Sequence, residues 1–165
     1  MIVYLVGMPG SGKSTVGREL AGRLGVPFVD LDEEIEQEAG STVAEIFRDE
    51  GEAAFRGLEA GALVKASMED PAVIACGGGV VLEPANRITL RNTGVAVYLD
   101  VPLEELRRRV RPAADRPLIR KEGDLEDLFA SRSPLYREFA AHVVDAGGEP
   151  GEVADAIVEE LRWSV

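Results

Sequence analysis

The sequence predicts an α/β fold in three layers, with a five-stranded parallel sheet covered by helices on both faces. Three observations predict it. Short apolar runs alternate with stretches of helical periodicity along the chain, the pattern of repeated strand-helix-strand units. The first unit encloses a Gly-rich turn, Gly7-Met8-Pro9-Gly10-Ser11-Gly12, between an apolar run and a helical stretch. The length, 165 residues, suits one hydrophobic core, since a domain spans roughly 100–200 residues. Residues 1–165 are therefore read as a single domain.

Ile2 to Val6 is continuously apolar, as a strand buried on both faces must be, and Gly7 and Pro9 stop it. A helix over Lys13 to Leu24 ends at Gly25-Val26-Pro27. Phe28 to Asp30 forms the second strand, and helices follow near Asp32 to Ala39, Thr42 to Arg48 and Ala53 to Met68. Val73 to Ala75 is the third strand, before a helix over Pro84 to Asn92. Val95 to Leu99 is the fourth, and Pro102 suits the first turn of a helix over Leu103 to Val110. A helix over Asp124 to Ala140, a last strand at His142 to Val144 and a helix over Pro150 to Arg162 complete the pattern. Between them the stretch 112–123, rich in Arg and Pro, is predicted to be a mobile loop.

Composition excludes several functions. A net charge of −12 opposes general affinity for nucleic acid. Seven of the 18 basic residues nevertheless fall between Arg107 and Lys121, which points either to a dedicated anion site or to a solvated helix face. No apolar stretch approaches the roughly 18 residues a membrane span needs. Met1 leads straight into the first strand, so a cytoplasmic location is expected. With one cysteine, Cys76, and one histidine, His142, the chain cannot build an internal disulfide, a Cys-based zinc cluster or a Ser-His or Cys-His nucleophile pair. Cys76 reads as a small apolar filler and His142 as a residue without a partner. Trp163 either packs the last helix or stays exposed, and Glu33, Glu34, Glu36 and Glu38 read as a solvated face.

The chemistry begins at the first turn. Gly7 to Ser14 matches G-x-x-x-x-G-K-[ST] between a strand and a helix, the P-loop. Glycines let successive backbone N–H groups wrap a phosphate, and the helix N-terminus favours its charge. Gly10, Ser11, Gly12, Lys13, Ser14 and Thr15 are therefore assigned to ATP, with Lys13 reaching the outer phosphates and Ser14 on Mg²⁺.

Ligands of such sheets collect beyond the carboxyl ends of the strands. The second strand ends in Asp30-Leu31-Asp32. Alternation along an extended segment puts both carboxylates on one side, one for Mg²⁺ through water and one for a hydroxyl proton, while Leu31 turns to the core. Asp32 could instead cap the next helix, the lesser of the two readings. The third strand ends in Cys76-Gly77-Gly78-Gly79, and three glycines invite close backbone approach to a ligand. The chain lacks the base-recognition motif N-K-x-D of nucleotide switches. Small size and an Arg-rich candidate lid instead suit a kinase closing over two small substrates.

From about Ile2 to Glu160 the chain closely resembles the bacterial shikimate kinases. The resemblance rests on an ordered set: Gly10 to Thr15, Asp30-Leu31-Asp32 with Ile35-Glu36, Ile46-Phe47, Gly51-Glu52, Phe55-Arg56 through Glu59, Gly77-Gly78-Gly79, Arg116-Pro117-Leu118, and Arg132 to Tyr136. It implies phosphorylation of the 3-hydroxyl of shikimate by ATP, for aromatic amino-acid biosynthesis. By the same resemblance Arg56, Arg132 and the Gly77 to Gly79 backbone bind shikimate, and Asp32 binds the reacting hydroxyl. Arg116 closes on the phosphates from a lid at about 112–123. Arg109 and the stretch around Pro150 flank the adenine, and Ser14 and Asp30 hold Mg²⁺. Catalysis is thereby assigned to Lys13, Asp32 and Arg116, and the acceptor to a helical region at about 32–60. Phe47, Phe55 and Glu59 resemble pocket-lining residues, though the aromatic pair equally suits ordinary core. A monomer acting on small molecules, with neither nucleic acid nor membrane as partner, is expected. Two other readings stand beside this one: a gluconate or nucleoside monophosphate kinase, and a module that binds ATP without turning it over.

Overall fold

A computed structural model describes residues 1–113 and 115–162 of the chain. Ala114 in the expected lid, and Trp163, lie outside the described residues. Five strands, β1 (Ile2–Val6), β2 (Phe28–Asp30), β3 (Ala72–Ala75), β4 (Gly94–Asp100) and β5 (His142–Asp145), form one parallel sheet in the order β2-β3-β1-β4-β5. The register aligns Val3 with Val73 on one side and with Val95 on the other. The central strand β1 is buried at every position, which is why it reads as continuously apolar rather than alternating.

Among the described residues seven α-helices connect the strands, α1 (Lys13–Leu24), α2 (Leu31–Ala39), α3 (Val43–Glu50), α4 (Glu52–Ala66), α5 (Pro84–Thr93), α6 (Leu103–Arg109) and α7 (Asp124–Phe139), and an eighth, α8 (Pro150–Arg162), follows β5. α1 buries Val16, Leu20 and Ala21 and packs against α8, whose Val153, Ala154, Ile157 and Leu161 are buried. Gly17 lets α1 lie close against β2, because a Cβ there would stand 2.4 Å from the ring of Phe28. α5 and α7 pack on β4, and α4 packs on α2, α3 and α5. α3 starts on a reciprocal cap, in which Glu45 N–H donates to Thr42 Oγ1 and Thr42 N–H to Glu45 Oε2.

The expected strands and helices are all present, with ends shifted by no more than two residues. A short 3₁₀ turn at Val80–Leu82 was not anticipated. Three local expectations are corrected. β2 stops at Asp30 and the chain turns helical at Leu31, so Asp30 and Asp32 do not share an extended segment. The cap of α2 is Asp30, not Asp32: Asp30 Oδ1 accepts from the N–H groups of Asp32 and Glu33 at 3.0 and 3.3 Å. His142, expected to lack a partner, lies 3.4 Å from Glu160. Among the described residues no helix is long and apolar enough to cross a membrane.

Candidate active site

The loop leaving β1 turns on glycines. Gly10 and Gly12 have φ of +80° and +90°, a region L side chains rarely adopt, and a Cβ on Gly10 would strike Val110 at 2.2 Å. The Lys13 ammonium folds back on the loop, donating to Gly7 O and Met8 O at 2.9 Å each. Burial lowers its pKa to about 8. Ser14 Oγ donates to Asp30 Oδ2, so the P-loop hydroxyl and the carboxylate ending β2 meet. Both are hard oxygen donors, and they fit Mg²⁺, which binds few protein oxygens and keeps phosphate and water. Among the described residues no cluster of three or more His, Cys, Asp or Glu side chains is placed to hold a metal alone.

Beside the P-loop lies a cavity of about 440 Å³ that Pro9, Asp32, Arg56, Glu59, Gly77 to Gly79 and Arg132 help to line. α4 supplies Arg56 and Glu59, one turn apart, and Arg56 Nη1 donates to Glu59 Oε1 at 2.9 Å. Glu59 is fully buried. Arg132 on α7 is 5% exposed, and its guanidinium lies over Gly78, 3.3 Å from where a Cβ would stand. Gly79 is held against Arg56, whose Nη1 would lie 2.2 Å from a Cβ on that residue. The triple glycine therefore lets two guanidinium groups reach the backbone.

Three buried polar atoms among the described residues find no partner in the fold: Asp32 Oδ1, Arg56 Nε and Glu59 Oε2. All three belong to residues lining this cavity. Buried polar atoms are nearly always satisfied, so this concentration marks a place built for a polar ligand. Burial, then the Asp30 carboxylate, raises the pKa of Asp32, against the pull of Lys13 and Arg56. Burial likewise raises Glu59, against Arg56.

Phe47 and Phe55 both line the cavity with ring centroids 4.8 Å apart, and Phe55 is also core, so the two readings of this pair hold together. Arg116, Pro117 and Leu118 also line the cavity. Their loop is tied by Ala113 N–H to Ile119 O at 3.1 Å, by buried Ile119, and by the Arg120 and Lys121 N–H groups donating to Asp124 at 2.9 Å.

Arg109 stands apart from this cavity. It reaches Gly10 O of the P-loop at 3.4 Å and the Ala146 and Gly147 carbonyls at 3.3 Å, with Glu105 at 3.1 Å. It thus bridges the P-loop to the loop that ends at Pro150, the first residue of α8. Thr15, at the exposed edge of α1, joins neither cluster.

Some contributors escaped the sequence. Glu36 is not part of a solvated face: it borders the cavity and accepts from Val43 N–H at 3.2 Å. Tyr136 is fully buried and donates to Gly78 O. The i, i+4 spacing of Arg132 and Tyr136 was the available signal. Cys76 is buried and its thiol pKa pushed far up, which makes it inert.

A P-loop on a parallel sheet, with a polar cavity beside it that an Arg-bearing loop helps to line, defines a small-molecule kinase. The comparisons give the family. The shikimate kinase family model matches residues 9–162, and the chain belongs to that family. The shikimate kinase of Aromatoleum aromaticum is 49% identical, across 98% of this chain and 95% of its own. That of Halorhodospira halophila is 46% identical, across 97% and 93%. The solved structure of the shikimate kinase from Acinetobacter baumannii, in complex with shikimate, superposes with a TM-score of 0.94 at 38% identity, over 99% and 93% of the two chains. The Aquifex aeolicus enzyme gives 0.89 at 35%, over 98% and 96%. A deoxyadenosine kinase from M. mycoides shares the fold alone, at 18% identity and a TM-score of 0.64 over the whole of both chains.

Proposed function

We propose that the cavity beside the P-loop binds shikimate and that its residues place the 3-hydroxyl for phosphoryl transfer from ATP, giving shikimate 3-phosphate and ADP. The observation that carries this reading is the convergence of three unpartnered buried polar atoms, on Asp32, Arg56 and Glu59, in one cavity beside Lys13. Shikimate, a carboxylate with three hydroxyls, supplies matching partners. Arg132 and Arg56 offer guanidinium forks to the carboxylate, and the Gly77 to Gly79 backbone supports the ring.

Asp32 accepts a hydrogen bond from the 3-hydroxyl and takes its proton as the oxygen attacks, a role its raised pKa favours. The new bond joins that oxygen to the terminal phosphorus, and the bond to the bridging oxygen of ADP breaks. Lys13 and the P-loop N–H groups hold the phosphates. Arg116, brought in by a lid at about 112–123, stabilises the charge spread over the transferring group. Ser14 directly, and Asp30 through water, would hold Mg²⁺, which supplies charge neutralisation at the outer phosphates. Arg109 and the Pro150 loop flank the adenine, while Gly10, Ser11, Gly12 and Thr15 complete the nucleotide cradle.

The chain acts as a single domain, with its acceptor-binding helical region at about 32–60, and as a cytoplasmic monomer on small molecules. Its acidity, −12 overall, supports the lack of a nucleic-acid partner. ADP release with Mg·ATP, run in parallel with shikimate, gluconate, nucleoside monophosphates and no acceptor, tests the reading. Release dependent on shikimate alone is expected; turnover with a different acceptor, or ATP binding without turnover, refutes the assignment.

A further inference from the structure

The turn Gly77 to Gly79 has settled carbonyls and unsettled amides. Gly77 O accepts from Val80 N–H at 3.1 Å, and Gly79 O from Leu82 N–H at 3.0 Å. Gly78 O takes the Tyr136 hydroxyl. Among the described residues none of the three glycine N–H groups finds a backbone acceptor. Gly78 and Gly79 both line the cavity.

Peptide geometry links these facts. Gly78 C=O and Gly79 N–H belong to one planar trans unit and point in opposite directions. A donor that fixes the carbonyl therefore fixes the amide, which here faces away from α7. Glycine on both sides leaves this plane otherwise free to rotate. Tyr136 is itself rigid: it is fully buried, and its ring lies 5.2 Å from that of Tyr98 on β4. Arg132 sits one helical turn before it, beside the phenol.

We propose that Tyr136 is a positioning residue for the acceptor substrate: its hydroxyl sets the Gly78–Gly79 peptide plane and so aims the Gly79 N–H at a substrate oxygen. This rests on the shikimate reading of the cavity. Tyr136 touches no substrate itself. It locks the backbone donor and packs beside Arg132, so two acceptor contacts share one support.

The test is Tyr136→Phe, which keeps the ring and removes the donor, with Tyr98→Phe as a control that loses the hydroxyl of the neighbouring buried tyrosine, aimed instead at Ser133, 3.5 Å away. KM for shikimate is expected to rise about tenfold in Tyr136→Phe, the scale of one lost buried hydrogen bond. KM for ATP is expected to hold within about twofold, and Tyr98→Phe to match wild type within about twofold in all constants. A purely structural role would move both KM values and kcat together. A second measurement needs no variant: in wild type labelled with ¹⁵N-glycine, shikimate alone should shift the Gly79 amide resonance. An unchanged shikimate KM in Tyr136→Phe, a parallel loss toward ATP, or a silent Gly79 amide overturns the proposal. Wild type measured alongside separates the two readings, since absence of shikimate turnover there would overturn the underlying assignment as well.

Discussion

Arg56→Ala should destabilise the protein by an amount that grows with pH. Arg56 Nη1 holds Glu59 Oε1 at 2.9 Å, while Glu59 Oε2 already has no partner. Removing the guanidinium leaves a fully buried carboxylate without any bond, at a cost of about 3 kcal/mol while it stays ionised. For a domain of this size that corresponds to a Tm lower by about 9 °C. The carboxylate escapes the penalty by taking a proton. Burial already raises its pKa from 4.5, and loss of Arg56 raises it further, so the folded variant binds the proton more tightly than the unfolded chain. The deficit is therefore absent near the unfolded value, opens as pH rises and levels off above the folded pKa. Thermal melts of variant and wild type at pH 5 and pH 8 measure it. The Tm gap should be about 9 °C at pH 8 and under half that at pH 5. An equal gap at both values, or one below about 2 °C at pH 8, would show that Glu59 does not depend on this pair.

The other predictions follow the same division of the site. Arg132→Ala should raise KM for shikimate by about 30–100-fold, the worth of a buried charge-assisted contact, with KM for ATP unchanged; equal loss toward both substrates would contradict its place in the acceptor cavity. Arg116→Ala should lower kcat by about 100–1,000-fold and leave shikimate affinity, measured by calorimetry, intact. With Lys13 titrating at about 8, ATP affinity should weaken as pH rises above that value, approaching about tenfold per unit where the charge is required. A flat calorimetric profile from pH 7 to 9 would remove Lys13 from phosphate binding.

The sheet and its helices were legible because each is signalled locally. β1 is apolar throughout for being central, and Gly25 and Pro102 mark real helix boundaries. The P-loop and the triple glycine were visible for the same reason, as contiguous runs. Much of what escaped depends on chain partners far apart. Tyr136 bonds a carbonyl 58 residues away and Arg109 one 99 residues away, and no spacing rule reaches that far. The 3₁₀ turn at Val80–Leu82 is too short to show a period. The misplaced cap had another cause: Asp30 and Asp32 are both plausible caps, and only the point where β2 ends decides between them.

The order of the sheet bears on how the choice of acceptor can change over generations. The proposed nucleotide contacts lie where β1 meets the β4 side, at the P-loop and at Arg109, which bonds Gly10 O and Ala146 O. The cavity proposed for the acceptor is assembled from four chain stretches: Pro9 of the P-loop, α2 to α4, the turn after β3, and the run from Asp115 to Ile119 with α7. A single replacement in any one of them leaves the others shaped for the old acceptor. New acceptors are therefore reached only by concerted change in distant parts of the gene, while the grip on the nucleotide can be inherited untouched.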